Sequence, residues 1–223
     1  MTNAPNTSGH FNRHQIFIRA NTRLLSPPLV PEIKLYLAEE SIPIWQKTEE
    51  ELGEMNVPPP FWAFAWAGGQ ALARYLLDNP SVCGGKRVLD LGAGSGLTAI
   101  AAMLSGAQSV LAADIDAFAL AACAANAQAN GTAFDVTSAD LLSAPPNPFD
   151  VVLVGDLFYE RMLAERVGTF VDLAKAIGAT VLIGDPQRNY FPRGRFTLMG
   201  EFNVPVTREL EDSLNKKTAV WQA

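Results

Sequence analysis

Short apolar runs alternate with helical runs after residue 80, and this alternation restricts the possible folds more than any other feature. The predicted strands are "KRVLDLGAG", "SVLAADID", "AFDVTSAD", "FDVVLVGD" and "ATVLIGD". Helices are predicted between them at "LTAIAAMLSG", "AFALAACAANAQANG" and "RMLAERVGTFVDLAKAIG". Strands that alternate with helices are normally parallel and joined by right-handed crossovers, so we expect an α/β fold with a mostly parallel sheet.

The C-terminal segment departs from this alternation. "GRFTLMGEFNVPV" and "KKTAVWQA" both have strand-like patterns, and no good helix lies between them. Two such runs predict an antiparallel hairpin at one edge of the sheet. The sheet should therefore be mostly parallel and end in one reversed strand.

The first 80 residues have a different pattern. We divide the chain into a flexible polar tail (1–10), an N-terminal extension (11–80) and a core (81–223), all in one compact unit. In the extension, "FNRHQIFIRANTRLL" predicts a helix that Ser26-Pro27-Pro28 stops, and "EIKLYLA" with "IPIWQKT" predicts a β-hairpin. "VPPPFWAFAWAGG" predicts a rigid aromatic linker, and "QALARYLLDNP" a helix ending at Asn79-Pro80. The hairpin is either a docking surface or a purely stabilising element.

Composition argues against several classes of function. The chain has 17 basic and 23 acidic residues, a formal net charge of −6, and no run of Lys or Arg that would form a basic face for nucleic acid. No apolar run approaches the roughly 18 residues of a membrane helix, and the N-terminus lacks a signal-peptide pattern. Cys83 and Cys123 are far apart, and no His or Cys lies at ligand spacing. We expect a cytoplasmic monomer with neither a metal nor a disulfide.

The segments "VLDLGAGSG" and "VLAADID" form the strongest constellation of the sequence. Gly92, Gly94 and Gly96 lie between a predicted strand and a predicted helix, where glycines permit a tight turn and close approach of a ligand to the backbone. The second segment ends a strand at Asp114, where a carboxylate can accept hydrogen bonds from ribose hydroxyls. Together they predict a site for a nucleotide-like ligand.

Glycine spacing and carboxylates indicate which ligand binds. A dinucleotide fingerprint reads G-x-G-x-x-G, whereas this loop reads G-x-G-x-G and has Leu97 at the position of the third glycine. Asp90 can address an ammonium group, directly or through water, and Asp114 a ribose. Asp140 can accept from an adenine amino group, or it is only a turn residue or helix N-cap. Three carboxylates suit a cationic ligand and would repel a pyrophosphate, which favours S-adenosylmethionine.

Five segments of the chain resemble a known family. The chain is similar to class I, seven-β-strand methyltransferases, and more narrowly to the protein lysine methyltransferases that modify the β-subunit of electron-transfer flavoprotein. The segments are "FWAFAWAGGQALARYLLDNP", "VLDLGAGSGLTAIAA", "LAADID", "GDLFYE" and "GDPQRNYFP". The glycine-rich segment identifies only the superfamily, whereas the aromatic segment and the D-x-x-Y of "DLFY" are more specific.

The resemblance implies a Rossmann-like sheet of seven strands in the order 3-2-1-4-5-7-6, with strand 7 antiparallel. The site would lie outside the carboxyl ends of the parallel strands. The implied cofactor is S-adenosylmethionine, with S-adenosylhomocysteine as the product. The residues assigned to the cofactor are Trp66, Asp90, Gly92, Gly94, Gly96, Asp114, Ile115, Asp140, Leu141 and Asp156.

The implied reaction is methyl transfer to a lysine nitrogen. A carboxylate and aromatic faces can capture the ammonium, which must then lose a proton before it reacts. We assign this capture to Asp156, as an anchor in preference to a proton acceptor, with Tyr159 shaping the channel or donating a hydrogen bond. Substrate contacts are assigned to Trp62, Phe158, Asp185 and Arg188. Trp62 and Phe158 have a plain core role as their alternative, and "GDPQRNYFP" a structural turn.

The expected substrate is the electron transfer flavoprotein β-subunit, together with other lysine-rich proteins such as a ribosomal stalk protein. A small-molecule amine N-methyltransferase is the nearest alternative and should have a closed pocket at Asp156. An NAD-dependent oxidoreductase is disfavoured by the missing third glycine. A non-catalytic binding module is disfavoured by the intact pair of Asp156 and Tyr159.

Overall fold

The N-terminal third of the chain is mostly helical in the computed structural model, which describes residues 7–39, 41–52, 59–206 and 215–223. Its elements are helix α1 (Thr7–Asn21), strands β1 (Arg23–Leu25) and β2 (Leu35–Leu37), helix α2 (Ser41–Leu52), a 3-10 turn (Phe61–Ala63) and helix α3 (Ala67–Asp78). Residues 7–10, predicted as part of a flexible tail, belong to α1. Residues 1–6 of that tail lie outside the described residues.

The structure corrects two predictions in this region. The predicted first helix ends at Asn21, and "RLL" forms β1, which pairs antiparallel with β2. "IPIWQKT", predicted as the partner strand, lies in α2. Ile44 and Thr48 are both buried, and their spacing of four residues is helical, whereas the short Ile-Pro-Ile alternation indicates a strand. Pro43 is tolerated because it lies in the first turn of the helix.

The core contains one seven-stranded sheet in the order β5-β4-β3-β6-β7-β9-β8. Its strands are β3 (Arg87–Leu91), β4 (Ser109–Ala113), β5 (Asp135–Thr137), β6 (Val151–Gly155), β7 (Thr180–Asp185), β8 (Thr197–Pro205) and β9 (Asn215–Gln222). Strands β3 to β7 are parallel, and β9 is antiparallel to both of its neighbours, β7 and β8. Numbered within the sheet, this order is 3-2-1-4-5-7-6 with a reversed seventh strand. The predicted topology and C-terminal hairpin are confirmed.

Helices cover both faces of the sheet, because its central strands are apolar on both sides. Helices α4 (Leu97–Leu104), α5 (Ala117–Ala129) and α6 (Arg161–Ala176) follow β3, β4 and β6. Val88 and Leu153 pack with α3 and α4, whereas Leu89 and Val152 pack with α6. Continuous apolar runs are typical of such doubly covered parallel strands.

The strand register brings the ends of the parallel strands together at one edge. Leu91 lies opposite Ala113 of β4 and Val154 of β6, and Gly155 lies opposite Gly184 of β7. The loops after these four strands therefore begin side by side. Residues that are far apart in the sequence can meet there to form a single site.

Two glycines bring the first turn of α3 into backbone contact with β7. A Cβ atom on Gly68 would lie 2.1 Å from the carbonyl oxygen of Gly184, and a Cβ atom on Gly184 would lie 2.1 Å from the carbonyl oxygen of Gly68. Only glycine permits so close an approach of two backbones. The contact places the N–H of Gly69 beside the end of β6.

The N-terminal extension packs directly against the core through aromatic side chains. The ring of Phe17 in α1 lies 5.3 Å from that of Phe118 in α5, and Trp62 stacks on the same phenylalanine at 5.8 Å between ring centroids. These contacts bury Phe17 and hold α1 against α5.

The described part of the chain contains both cysteines but neither a membrane-spanning helix nor a metal-binding cluster. Over these residues, no helix has both the length and the apolar character needed to cross a bilayer. No group of three or more His, Cys, Asp or Glu side chains is arranged there to hold a metal ion. Cys83 and Cys123 are buried free thiols.

Candidate active site

A cavity of about 640 Å³ lies outside the carboxyl ends of the parallel strands. Its wall combines the aromatic segment 59–66 with the loops after β3, β4, β5 and β6. Eleven predicted site residues line it: Trp62, Trp66, Gly92, Gly94, Asp114, Ile115, Asp140, Leu141, Asp156, Tyr159 and Arg188. Four predicted site residues do not line it: Asp90, Gly96, Phe158 and Asp185.

The glycines of the loop after β3 share a backbone conformation, but Gly94 and Gly96 have different roles. All three have positive φ, at 68° for Gly92, 51° for Gly94 and 78° for Gly96. A Cβ atom on Gly94 would meet no atom within 4 Å, so this position faces open space in the cavity. A Cβ atom on Gly96 would lie 3.1 Å from the Sγ of Cys123. Gly96 therefore serves packing of α4 against α5 and does not contact the cavity.

Asp90 supports the glycine loop from behind. Its carboxylate accepts hydrogen bonds from the hydroxyl of Thr98 at 2.6 Å and from the N–H of Ala99 at 3.0 Å. It is 1% exposed, and this burial raises its pKa to about 6. Of the two contacts predicted for Asp90, directly to an ammonium group or through water, the geometry does not offer the direct one, because both oxygens point to the start of α4.

Asp114 joins the glycine loop to the loop after β4. One oxygen accepts the N–H of Gly94 at 2.9 Å and the other accepts the N–H of Asp116 at 3.0 Å. Burial raises the pKa of Asp114. The side chain of Ile115 is 76% exposed at the rim. This places Asp114 and Ile115 at the end of the second core strand, where they were predicted.

Asp116 lines the cavity and was not predicted from the sequence. Its carboxylate accepts the N–H of Phe118 at 2.8 Å and so caps the N-terminus of α5. Burial raises its pKa to about 6. The signal in the sequence was the second acidic residue of "DID" directly before a helical run, which is the pattern of an N-cap.

Asp140 has the capping role that the sequence left open as an alternative. One oxygen accepts the N–H of Leu142 at 3.1 Å and caps a short 3-10 turn, and the other accepts a hydrogen bond from Arg166 at 2.5 Å. The residue also lines the cavity, next to Leu141. Arg166 was not predicted, because nothing in the sequence of α6 separates it from an ordinary exposed arginine.

Asp156 is a buried carboxylate held by donors from two other parts of the chain. It directly follows β6, in a left-handed conformation with φ of 58°, and is 7% exposed. Oδ2 accepts the N–H of Gly69 at 2.8 Å, and Oδ1 accepts from Nε and Nη2 of Arg188 at 2.9 and 2.7 Å. The guanidinium of Arg188 lies 5.4 Å from the ring centroid of Trp66. A carboxylate, a cation and an aromatic face thus converge on one wall of the cavity.

Asp185 anchors the loop that carries Arg188 and does not line the cavity. It is fully buried, and its Oδ1 accepts the backbone N–H of Arg188 at 2.7 Å. Its Oδ2 has no hydrogen-bond partner among the described residues. Burial, together with the charge of Asp156, raises the pKa of Asp185 to about 7. The structure therefore corrects its predicted substrate contact to a role in positioning Arg188.

The predicted aromatic residues separate into rim, wall and core. Tyr159 is 44% exposed, its ring lies 5.5 Å from that of Phe61, and burial of its remaining surface raises the pKa of its phenol. Trp62 is buried and lines the wall. Phe158 packs at 5.5 Å against Phe191 in the core, so its alternative role applies. It borders a separate open groove of about 580 Å³ beside α6, not the cavity.

The sheet order, the glycine loop and the acidic cavity at the strand ends define a class I methyltransferase fold. Residues 70–177 match the family model described as ribosomal protein L11 methyltransferase (PrmA). Among solved structures, magnesium protoporphyrin IX methyltransferase from Synechocystis PCC 6803 with bound SAM has a TM-score of 0.50 and 16% identity, over 69% of this chain and 77% of that one. This likeness shows the fold alone.

Curated relatives give the family. The chain is 39% identical over 212 residues to the electron transfer flavoprotein beta subunit lysine methyltransferase of Mus musculus, and the match covers 92% of this chain and 82% of the relative. It is 38% identical over 213 residues to the protein of the same name from Danio rerio, over 92% and 81%. The chain belongs to the family of electron transfer flavoprotein beta subunit lysine methyltransferases.

Proposed function

We propose that this protein is an S-adenosylmethionine-dependent protein lysine N-methyltransferase that acts on the β-subunit of electron transfer flavoprotein. The observation that carries the proposal is the buried Asp156 carboxylate, which shares the wall of a glycine-lined cavity with Trp66 in a chain of this family. A carboxylate and an aromatic face are the groups that recognise an ammonium ion.

The cavity fits the cofactor in size and in chemistry. Its volume of about 640 Å³ is within the usual range for small-molecule sites. Gly94 has no side chain that would fill the space above the glycine loop. Its acidic residues suit a cationic ligand without phosphate. We assign the ribose to Asp114 and Ile115, the adenine to Asp140 and Leu141, and the methionine end to Gly92, Gly94 and Trp66.

The residues around Asp156 orient the nucleophile. Bound S-adenosylmethionine would supply a methyl group on a sulfonium, whose sulfur keeps the electron pair of the broken C–S bond when a neutral lysine nitrogen forms the N–C bond. Asp156 anchors the amine, and Tyr159 narrows the approach to it from the rim. Holding the nitrogen in line with the reacting bond is the main catalytic contribution available to these side chains. The proton of the lysine leaves to water.

The open rim favours a protein substrate over a small amine. Phe61, Ile115 and Tyr159 line the cavity and are 40%, 76% and 44% exposed. A closed pocket at Asp156 would be expected for a small-molecule amine methyltransferase. The exposed rim instead leaves an approach for a side chain that projects from a protein surface.

Incubation with isotopically labelled S-adenosylmethionine tests the proposal. The reactions should contain, separately, purified electron transfer flavoprotein, a purified ribosomal stalk protein and a small-molecule extract, and mass spectrometry should locate the label. We expect methyl-lysine in the flavoprotein β-subunit. Label in the stalk protein would widen the substrate range, whereas label in a metabolite and in no protein would overturn the proposal.

A further inference from the structure

The carboxylate of the amine site is already paired with a cation from the chain itself. Arg188 donates to Oδ1 of Asp156 through both Nε and Nη2, while Oδ2 accepts from Gly69. The side chains of Arg188 and Asp156 are 17% and 9% exposed, so solvent screens this pair little. Their summed charge is close to zero at the place where a lysine must bind.

A neutral pair has a consequence for the protonation of the target lysine. An ammonium ion beside a lone carboxylate gains affinity and keeps its proton, because an opposite charge favours the charged form. Beside Asp156 with Arg188, the same ammonium ion meets a cation as well as an anion. A neutral amine can still donate an N–H to the carboxylate, and the neutral amine is the reactive form.

We propose that Arg188 is a positioning residue that acts through Asp156, offsetting its charge so that the target lysine is held as the neutral amine. The proposal rests on the proposed function, since it concerns the same amine site. Asp185 holds Arg188 in position, because its carboxylate accepts the backbone N–H of Arg188 in a turn where Gln187 has a φ of 60°.

Other ionisable groups lie near the amine site, and their electrostatic effects must be distinguished from that of Arg188. Around Arg188 and Tyr159 they are Asp185 at the end of β7, Asp114 after β4, and Glu160 before α6. Across the cavity lie Asp116 and the ion pair of Asp140 with Arg166. The adjacent turn of α3 contributes the N–H of Gly69 and no charged side chain.

The test is the pH dependence of kcat for Arg188→Gln, measured with the protein substrate and saturating S-adenosylmethionine. The kcat profile reports ionisation in the enzyme–substrate complex, whereas kcat/KM reports the free species. Without the arginine, the bound lysine should keep its proton to higher pH. The limb of the kcat profile that rises as the lysine loses its proton should therefore move up by about one pH unit. The limb of kcat/KM that belongs to the free lysine should stay in place.

Three further variants isolate the effect. Arg188→Lys keeps the charge and should restore the wild-type limb. Arg161→Gln removes an arginine whose guanidinium lies over Tyr190, outside the cavity, and should leave the limb in place. Because Asp185 has a pKa of about 7 that the charge of Arg188 lowers, the effect of Arg188→Gln should be measured again in an Asp185→Asn background, where the same shift is expected.

Two results would overturn the proposal. One is an equal fall in kcat at every pH, which indicates a purely structural role. The other is a lower KM without movement of the limb, which indicates that the arginine only blocks the site. If Arg188→Gln is too slow to assay, calorimetry in buffers of different ionisation enthalpy should show fewer protons released on binding of a lysine peptide with S-adenosylhomocysteine. Failure of the wild-type protein to methylate the flavoprotein would count against the proposed function instead.

Discussion

At the scale of single residues, Asp156 shows how a core strand can end in a charge. The backbone N–H of Asp156 donates to the carbonyl of Gly184, and its side chain is held by Gly69 and Arg188. A buried carboxylate is costly unless such partners compensate for lost hydration. The compensation keeps a charged oxygen on the cavity wall, where a lysine amine can reach it.

Asp156→Ala should therefore lower the rate of methyl transfer by at least about 100-fold, since it removes the group that orients the amine. The affinity for S-adenosylhomocysteine should stay within a few-fold, because the cofactor contacts lie mainly on the other loops. Calorimetry and a radiolabel assay measure the two quantities. Asp156→Asn serves as the companion variant because it keeps an acceptor for Gly69. Retained transfer in the alanine variant would contradict the anchoring role.

Asp185 should make stability depend on pH in a defined direction. Its folded-state pKa of about 7 lies above the unfolded value of 3.8, so the folded protein retains this proton to higher pH. The resulting stabilisation is fully present below about pH 4 and is lost as pH rises through about 7. Asp90 and Asp116 contribute with the same sign.

Asp185→Asn should remove this part of the pH dependence. The free energy of unfolding of the variant, minus that of the wild type, should rise between about pH 4.5 and about pH 7.5, because the stabilisation from Asp185 is lost there in the wild type alone, whereas that from Asp90 and Asp116 is lost in both. Urea unfolding at several pH values measures the difference. A difference that does not change with pH would show that Asp185 ionises normally in the folded protein.

At the scale of elements, the contact between α3 and β7 determines the geometry of the site. The first turn of α3 carries Gly69 and follows Trp66, so its position sets the distance of both from Asp156. The backbone approach at Gly68 and Gly184 fixes that position. A small shift of the helix would separate the Asp156 carboxylate from the N–H of Gly69 and would also move Trp66 relative to Arg188.

Gly68→Ala should destabilise the fold by about 3 kcal/mol or more, since the new Cβ atom would overlap backbone that cannot move freely. Methyl transfer should fall as well, through the shift of Asp156. Gly69→Ala is the matched control in the same turn, because its Cβ atom would meet only Leu97 at 3.9 Å. Denaturant unfolding and the transfer assay measure both. Equal stability of the two variants would contradict the importance of this contact.

At the scale of the whole molecule, we propose that the N-terminal extension and the core form one cooperative unit. Phe118 lines the cavity and is packed by Trp62 and by Phe17 of α1. The wall of the cavity thus depends on residues from both parts of the chain. If α1 no longer packs against Phe118, we expect Phe118 to shift and the wall of the cavity to change with it.

Phe17→Ala should lower the free energy of unfolding by about 3 kcal/mol, the usual cost of truncating a buried phenylalanine. Unfolding should remain a single transition, and S-adenosylhomocysteine should bind more weakly. Ile16→Ala on the same helix is the control, because Ile16 is 63% exposed and its loss should change stability by less than about 0.5 kcal/mol. Calorimetric scans with and without ligand measure these effects. Two separate transitions would indicate that the extension is an independent unit.

The family resemblance implied the sheet order. Local pattern determined the strands and helices of the core and the residues of most cavity loops. These are properties that each segment carries in its own spacing of apolar residues, glycines and strand-end carboxylates. The strand predicted at "IPIWQKT" was wrong. The alternation of Ile-Pro-Ile is too short to decide between strand and helix, and the buried residues, Ile44 and Thr48, have the four-residue spacing of a helix.

Only the tertiary structure decided where the charged side chains point. Asp90, Asp114, Asp156 and Asp185 all lie at or near the ends of apolar strands, yet Asp90 and Asp185 do not line the cavity and Asp156 is paired with Arg188. A carboxylate's direction depends on which donors the neighbouring elements present to it, and those donors, such as the N–H of Gly69, come from distant parts of the chain. The physical reason is that burial and pairing are properties of the assembled fold, whereas periodicity belongs to the sequence.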